Sequence, residues 1–153
     1  MVFEAHDRDL GRRVAFKAIR PGARARDPAS AELLRREATA VAQLQHPNIV
    51  TLFDAGSAAG PYLIFELLRG ETLAQRLLRG RVSAREAMRV ALAVARALVH
   101  AHGNGVLHRD LTTRQVIRDR GGRIVVIPFG AGRDATTTGR LARALPFDEP
   151  QPA

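Results

Sequence analysis

Val14-Ala15-Phe16-Lys17-Ala18-Ile19 is an alternating run of apolar residues that contains the only lysine of the chain. The alternation predicts a strand with one buried face. The chain has 153 residues, and of its 24 lysines and arginines all except Lys17 are arginines. A lone lysine in such a chain indicates a position that needs a compact point charge instead of a planar fork. We therefore expect Lys17 to be functional; a chance lysine at an exposed strand position is the alternative.

The residues around this run predict a strand pair followed by a helix. The strands are Val2–His6 and Arg13–Arg20, and Asp27 with Pro28 predicts a helix start that leads to a helix ending near Gln45. Glu37 lies inside the apolar stripe of that helix, where a carboxylate normally needs a partner. A side chain that reaches water from the edge of the stripe is the alternative for Glu37.

The second half of the chain adds strands and then helices. The predicted elements are strands at 49–55 and 61–67, a short helix Thr72–Leu78, a long helix from a Ser83 capping box to about His102, and strands at 115–118 and 123–127. The apolar face of the long helix is predicted to be Met88, Ala91, Leu92, Ala95, Leu98 and Val99. Strands first and helices later predict an α+β protein with a strand-rich lobe and a helical lobe.

The composition narrows the classes of function. The net charge of +9 raises the possibility of nucleic-acid binding, but the arginines are scattered and aromatics make up only 5%, so we consider nucleic acid an unlikely partner. The absence of cysteine fits a cytoplasmic protein. No apolar run approaches the roughly 20 residues of a membrane span, so none is expected.

Five short motifs follow one another along the chain: Val-Ala-Phe-Lys at 14–17, Arg-Arg-Glu-Ala at 35–38, His-Pro-Asn-Ile-Val at 46–50, His-Arg-Asp-Leu at 108–111 and Pro-Phe-Gly at 128–130. In this order they resemble the protein kinase family, of the bacterial Ser/Thr type. The resemblance covers nearly the whole chain and includes the spacing of the motifs. It implies a two-lobe kinase-like fold, with an N-lobe at 1–66, the start of a C-lobe at 67–127 and an activation-segment-like tail at 128–153.

The resemblance also implies a role for each matching residue. Lys17 contacts the α- and β-phosphates of ATP, Glu37 pairs with Lys17, and Asp110 accepts the proton of the substrate hydroxyl. The implied adenine site has Val2 and Ala15 above the base, Ile117 below it, Phe65 as the gatekeeper, and the backbone of Glu66 to Leu68 along its edge. Core packing is a sufficient alternative reason for the apolar members of this set.

The chain departs from the family pattern at the groups that handle phosphate and metal. No glycine-rich loop precedes Val2, and Pro128 stands where the family has a metal-binding aspartate. Gln115 stands where the family has its second metal ligand, so it is only a weak candidate for binding a metal ion. Thr112 and Thr113 replace the lysine and the proline of the catalytic loop. We therefore expect weak or no ATP binding and doubtful Mg²⁺ binding.

Three functions remain open at this point. The first is a degenerate, truncated kinase-like domain, a pseudokinase that is catalytically weak or inactive and acts through nucleotide or protein binding. The second is an active Ser/Thr protein kinase fragment whose gene start is misplaced, with a glycine loop upstream of Met1. The third is a non-enzymatic interaction module that binds a protein partner or a second copy through an exposed face of the helix Ser83–His102.

Overall fold

The computed structural model describes residues 2–18, 36, 38–57 and 61–127. Its strands are β1 (Val2–Asp7), β2 (Arg12–Ala18), β3 (Leu52–Gly56), β4 (Tyr62–Glu66), β5 (Gly70–Thr72), β6 (Val116–Asp119) and β7 (Ile124–Val126). The helices with complete bounds are α1 (Leu73–Leu78) and α2 (Ala84–Gly103). A further helical segment covers residues 38–42. Within this described part, no helix has both the length and the hydrophobicity that a membrane crossing requires.

The first sheet has the strand order β1-β2-β4-β3, and all its pairs are antiparallel. Strand β2 lies between β1 and β4, so residues 14–18 of the alternating run quoted above belong to a central strand. A tight turn makes the β1–β2 hairpin possible: Asp7 accepts a hydrogen bond from the backbone N–H of Leu10, and Gly11 adopts a φ of 61°. The guanidinium of Arg12 then lies 3.7 Å from the centre of the Phe53 ring, which adds a cation–π contact between β2 and β3.

The second sheet has the order β5-β6-β7, and both helices are next to it. Strand β5 passes directly into α1, where Thr72 and Gln75 form a capping box that satisfies the start of a short helix. Helix α2 packs against β7 through its alanines Ala93, Ala97 and Ala101, which are buried. Small side chains at these positions let the helix approach the sheet closely.

This packing corrects the predicted face of the long helix. Met88, Leu92 and Val99 are 69%, 52% and 74% exposed, and Ala91 and Ala95 of the predicted face are exposed as well. Of that face only Leu98 packs against the core, next to the alanine stripe, Val90 and Val94. Helix α2 has apolar residues on two faces, and hydrophobic periodicity cannot tell which of them meets a neighbour. The sheet selects the face with the smaller side chains.

Other predicted boundaries need smaller corrections. Strand β3 begins at Leu52 because Ile49 makes an isolated parallel bridge with Val126 instead of joining the first sheet. The helical segment ends at residue 42 instead of near Gln45, and its predicted start lies outside the described residues. Strand β5 was not predicted, since three residues are too few for a periodic pattern. The capping box predicted at Ser83 is only half formed. Ser83 accepts a hydrogen bond from the backbone N–H of Glu86, but the Glu86 carboxylate binds Arg76 and not the backbone N–H of Ser83.

The segment His46–Val50 joins the two sheets. The side-chain amide of Asn48 donates to the carbonyl of Ile124 at 2.7 Å, and its backbone carbonyl accepts from the N–H of Val126 at 2.9 Å. Val50 donates its N–H to the carbonyl of Val126 at 3.1 Å. Nδ1 of His46 accepts from the N–H of Asn48, which holds the turn in shape. Around this junction a single core cluster includes residues from both sheets and from α2.

The Asn48 junction yields a first prediction about stability. Asn48→Ala removes the side-chain bond to Ile124 and leaves a partly buried carbonyl without that donor, so the free energy of unfolding should fall by about 1–3 kcal/mol. Urea denaturation followed by circular dichroism measures it. The matched control is Asn104→Ala, whose amide also bonds a carbonyl, that of His100, but at an exposed position, and whose effect should stay near ~0.5 kcal/mol. Equal losses in the two variants would contradict the proposed role of Asn48.

His108 is a buried titratable group, 7% exposed, next to the end of β7. Burial lowers its pKa from 6.5, while a hydrogen bond to the Ile127 backbone and the charge of Asp110 act in the opposite direction. A folded-state pKa below the unfolded value means that the unfolded chain binds the proton more readily. The stability that depends on neutral His108 is therefore complete above pH 6.5 and is lost as the pH falls through the folded pKa.

The pH dependence of unfolding tests this second prediction. The free energy of unfolding should decrease as the pH is lowered from 7 towards 5, and His108→Phe, which keeps a ring but cannot titrate, should make that decrease smaller. Part of the slope should remain, because burial, followed by the charges of His100 and Arg96, also lowers the pKa of His46. Denaturant titrations at several pH values provide the measurement. A slope in His108→Phe as steep as that of the parent protein would contradict the assignment.

Candidate functional site

One face of the first sheet carries Lys17 and several of its predicted partners. Lys17 is opposite Val2 on β1 and opposite Leu63 on β4, and Ala15, two residues earlier, is opposite Phe65. Directly opposed residues share a face, and so do residues two apart on a strand. The register therefore places the predicted lysine, both predicted caps of the adenine and the predicted gatekeeper on the same face.

The burial of Lys17 distinguishes it from an exposed strand lysine. Its exposed fraction is 7%, and burying an ammonium group is costly unless other groups compensate its charge. The alternative of a chance survivor at an exposed position is therefore wrong. Glu37 lies outside the described residues, so its pairing with Lys17 remains a prediction. Its neighbour Ala38 is buried in the main core.

The apolar residues predicted to hold adenine belong to one core cluster. Its members include Val2, Ala15, Phe65, Leu68 and Ile117, each at most 7% exposed. Val2, Ala15 and Phe65 come from the first sheet, Ile117 comes from β6 in the second, and Leu68 lies between β4 and β5. Residues more than 100 positions apart in the chain thus come together as the resemblance implies, although core packing alone also accounts for their burial.

Glu66 ends β4 and is held from two sides. Its backbone N–H donates to the carbonyl of Thr51 at 2.9 Å, and its carboxylate accepts a bond from Arg123. The same guanidinium also binds Asp119 at 3.1 Å, so Arg123 connects the end of the first sheet to the β6–β7 turn. The sequence analysis missed Arg123, because contacts between residues so far apart leave no local pattern.

Asp110 lies in a turn whose backbone is strained. Arg109, the residue before it, has a φ of 66°, in the left-handed region that costs a non-glycine residue about 1–2 kcal/mol. The N–H of Asp110 donates to the carbonyl of His108 at 2.9 Å, which closes the turn. His108 is buried on one side of this turn while Asp110 is exposed on the other, so the carboxylate is open to a substrate from solvent. Strain of this kind concentrates at functional sites.

Gln115 closes the rest of the loop. Its side-chain oxygen accepts from the backbone N–H of Thr112 at 2.8 Å and also from the Thr112 hydroxyl. The backbone N–H can only donate, so the atom facing it is the amide oxygen and not the nitrogen. The loop is also fixed to its surroundings, since the carbonyl of Thr113 accepts from Ala74 in α1 and the carbonyl of Gln115 accepts from Ile127.

These residues do not fit a bound Mg²⁺ ion. The amide oxygen of Gln115 already accepts two hydrogen bonds, which occupies both of its lone pairs. Pro128 has no carboxylate and lies outside the described residues. Among the residues with described positions, no group of three histidines, aspartates or glutamates is arranged to hold a metal. Mg²⁺ prefers carboxylate and water oxygens in octahedral geometry, and the only carboxylate in residues 108–115 is that of Asp110.

Comparisons with known proteins agree with the motifs. The family model described as "Protein kinase domain" matches residues 1–145. A probable serine/threonine-protein kinase of Streptomyces coelicolor is 37% identical over 138 residues, which cover 86% of this chain and 20% of that protein. The serine/threonine-protein kinase PknA of Mycobacterium tuberculosis is 35% identical over 164 residues, covering 99% of this chain and 38% of that protein.

Solved structures give the same fold. The crystal structure of the Mycobacterium tuberculosis PknI kinase domain superposes with a TM-score of 0.77 at 28% identity, covering 86% of this chain and 55% of that one. The chain thus spans about half of a kinase domain and at most about two-fifths of these curated relatives. Its α+β architecture of an antiparallel sheet followed by a helical part is that of the two-lobe kinase fold. The chain belongs to the protein kinase family.

Proposed function

We propose that this chain is a Ser/Thr protein kinase-like domain that binds nucleotide weakly, without Mg²⁺, and transfers phosphate slowly or not at all. The observation that carries the proposal is the loss of both metal positions: Pro128 has no carboxylate, and the Gln115 oxygen is engaged by Thr112. A cytoplasmic location is part of the proposal and rests on the absence of cysteine.

The remaining groups support part of the kinase chemistry. In the proposal, Lys17 supplies one positive charge to the α- and β-phosphates of ATP, and Glu37 orients that ammonium group. The apolar residues around Ala15 and Ile117 hold the adenine. Asp110 is exposed and accepts the proton of a Ser or Thr hydroxyl while that hydroxyl oxygen bonds to the γ-phosphorus, the bond from the γ-phosphorus to the β–γ bridging oxygen breaks, and ADP leaves. No step is assigned to a metal ion, because the residues do not fit one.

Magnitudes favour a very slow reaction. Phosphoryl transfer depends on positioning and on charge stabilisation of the phosphates. Removing one preorganised electrostatic group typically costs about 3–4 kcal/mol in the barrier, or roughly 10²–10³ in rate. Two altered metal positions together remove about 10⁴ or more, although such effects do not add simply. Starting from the roughly 1–100 per second of an ordinary kinase, little turnover is left.

A thermal-shift titration with ATP tests the proposal. With ~1 mM ATP and a Kd of the same order, the stabilisation is about 0.4 kcal/mol, which raises Tm by roughly 1–2 °C. The shift should be the same in MgCl₂ and in EDTA, and Lys17→Met should make it smaller without abolishing it. A large Mg²⁺-dependent shift, or phosphate transfer at about 1 per second that Asp110→Asn eliminates, would contradict the proposal.

The partnership of Lys17 and Glu37 is tested by a double-mutant cycle on the same shift. Lys17→Met and Glu37→Gln should each weaken ATP binding, and the double variant should be no worse than Lys17→Met alone. Independent effects would remove Glu37 from the site while leaving Lys17 in it.

A second candidate function is an interaction module, favoured by the exposed stripe of α2. Met88, Leu92 and Val99 lie on one side of the helix, because residues four and seven positions apart share a helical face. The exposed arginines Arg85 and Arg96 flank this stripe. A row of exposed apolar side chains bordered by positive charge suits an acidic amphipathic helix of a partner protein. A second copy of this basic chain, with its net charge of +9, is disfavoured by charge.

This candidate predicts binding of a synthetic helical peptide that has leucines on one face and glutamates beside them. Calorimetry should give a Kd below about 1 mM, a tenfold loss in Leu92→Glu, and weaker binding at higher salt. The control Leu10→Glu, also at an exposed position but on the β1–β2 turn, should bind normally. No binding, or a concentration-dependent dimer that Leu92→Glu abolishes, would contradict an acidic partner.

A further inference from the structure

A cavity of about 560 Å³ lies in the helical part, away from the residues of the kinase site. It is bounded by β5, β6 and the β6–β7 turn, by Arg79 just after α1, and by the first turns of α2. None of the residues assigned to ATP or to phosphate transfer lines it. Its volume falls within the range of about 300–1,000 Å³ that is usual for small-ligand sites.

Four arginines line this cavity: Arg79, Arg89, Arg118 and Arg120. We call it the arginine pocket. Arginine presents several N–H donors in a planar fork, which matches the oxygens of phosphate and carboxylate groups. Four such groups around one cavity indicate an anionic ligand, provided that acidic side chains nearby do not already neutralise them all.

The acidic residues of the lining are engaged by particular arginines. Glu71, with a side chain only 8% exposed, binds Arg79 at 2.6 Å and Arg118 at 3.2 Å. It therefore fixes two guanidinium groups while its own charge is compensated. Without these two partners, the buried carboxylate of Glu71 would repel an anion in the pocket.

The other two carboxylates have partners outside the lining. Glu86 binds Arg76 through two bonds of 3.0 and 3.1 Å, and Asp119 binds Arg123 at 3.1 Å. Neither Arg76 nor Arg123 lines the pocket. Glu86 also lies 3.6 Å from the guanidinium of Arg118, which Glu71 already binds. These two negative charges are therefore compensated without using Arg89 or Arg120.

Arg89 and Arg120 are the remaining two arginines of the lining. Within the described part of the chain, neither makes a side-chain ion pair or hydrogen bond, and both are exposed. They leave two uncompensated positive charges at one cavity. An apolar wall is present as well, since Val90 and Ile124 also line it.

We propose that the arginine pocket binds a phosphate monoester. A phosphate monoester carries about −1.5 to −2 charges at pH 7 and three acceptor oxygens, which suits two free guanidinium forks better than the single charge of a carboxylate. A phosphate group alone is much smaller than the cavity, so the remainder of the ligand lies against Val90 and Ile124. The ligand is either a phosphorylated side chain of a peptide or a phosphorylated small molecule. This site is independent of the proposed nucleotide site.

Calorimetric titration of the full chain with defined probes tests the proposal. The probes are the peptide Gly-Ala-phosphothreonine-Ala-Gly, the same peptide without phosphate, glycerol 3-phosphate and inorganic phosphate. The phosphorylated probes should bind with a Kd below about 1 mM, and the unphosphorylated peptide at least tenfold more weakly. A fivefold preference for the phosphopeptide over glycerol 3-phosphate assigns the pocket to protein-borne phosphate, and the reverse preference assigns it to a small molecule.

Three variants locate the binding. The double variant Arg89→Gln/Arg120→Gln should weaken phosphate binding at least tenfold without loss of helix signal in circular dichroism, because both side chains are exposed. Arg85→Gln, one turn earlier on α2 and outside the pocket, should stay within twofold of the parent protein. Lys17→Met should also bind the phosphopeptide normally, which separates a failure of this proposal from a failure of the nucleotide site.

Two results would overturn the inference. One is equal affinity of the phosphorylated and unphosphorylated peptides, since the phosphate would then contribute nothing. The other is equal weakening by Arg85→Gln and by the double variant, since general attraction to a basic chain would then explain the binding.

Discussion

The hydrogen bonds between Asn48 and the last strand hold the two sheets of this protein together. The side-chain amide of Asn48 donates to the carbonyl of Ile124, and the backbone carbonyl of Asn48 accepts from the N–H of Val126. The N–H of Val50 donates a third hydrogen bond, to the carbonyl of Val126. Together with the core cluster that both sheets share and the Arg123 bond to Glu66, this junction fixes the strands that carry Lys17 relative to the loop that carries Asp110. The candidate site is divided between two parts of the chain, so its geometry depends on contacts such as these between those parts.

The loop around Asp110 is held in its conformation by protein contacts that do not involve a metal ion. Arg109 keeps a strained backbone, His108 stays buried, and Thr113 and Gln115 anchor the loop to α1 and to the end of β7. Gln115 bonds Thr112 within its own loop, where the family pattern has a metal ligand. The amide thus stabilises the loop, and the shape is preserved by hydrogen bonds that need no metal ion.

Charge is distributed unevenly over the helical part. Most of its acidic side chains are in networks with arginines, such as Glu71 with Arg79 and Arg118, and Asp119 with Arg123, which also binds Glu66 of the first sheet. These partly exposed pairs each contribute modestly to stability, because solvent screens them. Their larger effect is to fix guanidinium groups in place, which leaves Arg89 and Arg120 as the uncompensated charges at a cavity. The net charge alone gave no indication of such a site.

The sequence by itself determined the family, the order of the elements and most of the candidate site. The expected roles of Lys17, Asp110 and the residues predicted to hold adenine follow from the kinase-like motifs, and the strand pair β1–β2 follows from alternation and a turn. Only the tertiary structure decided which face of α2 is buried, because both faces are apolar and the choice depends on the sheet it meets. The Arg123 network, the Asn48 junction and the arginine pocket were likewise decided in three dimensions. Each joins residues far apart in the chain, and such contacts arise from packing, which leaves no periodic signal in the sequence.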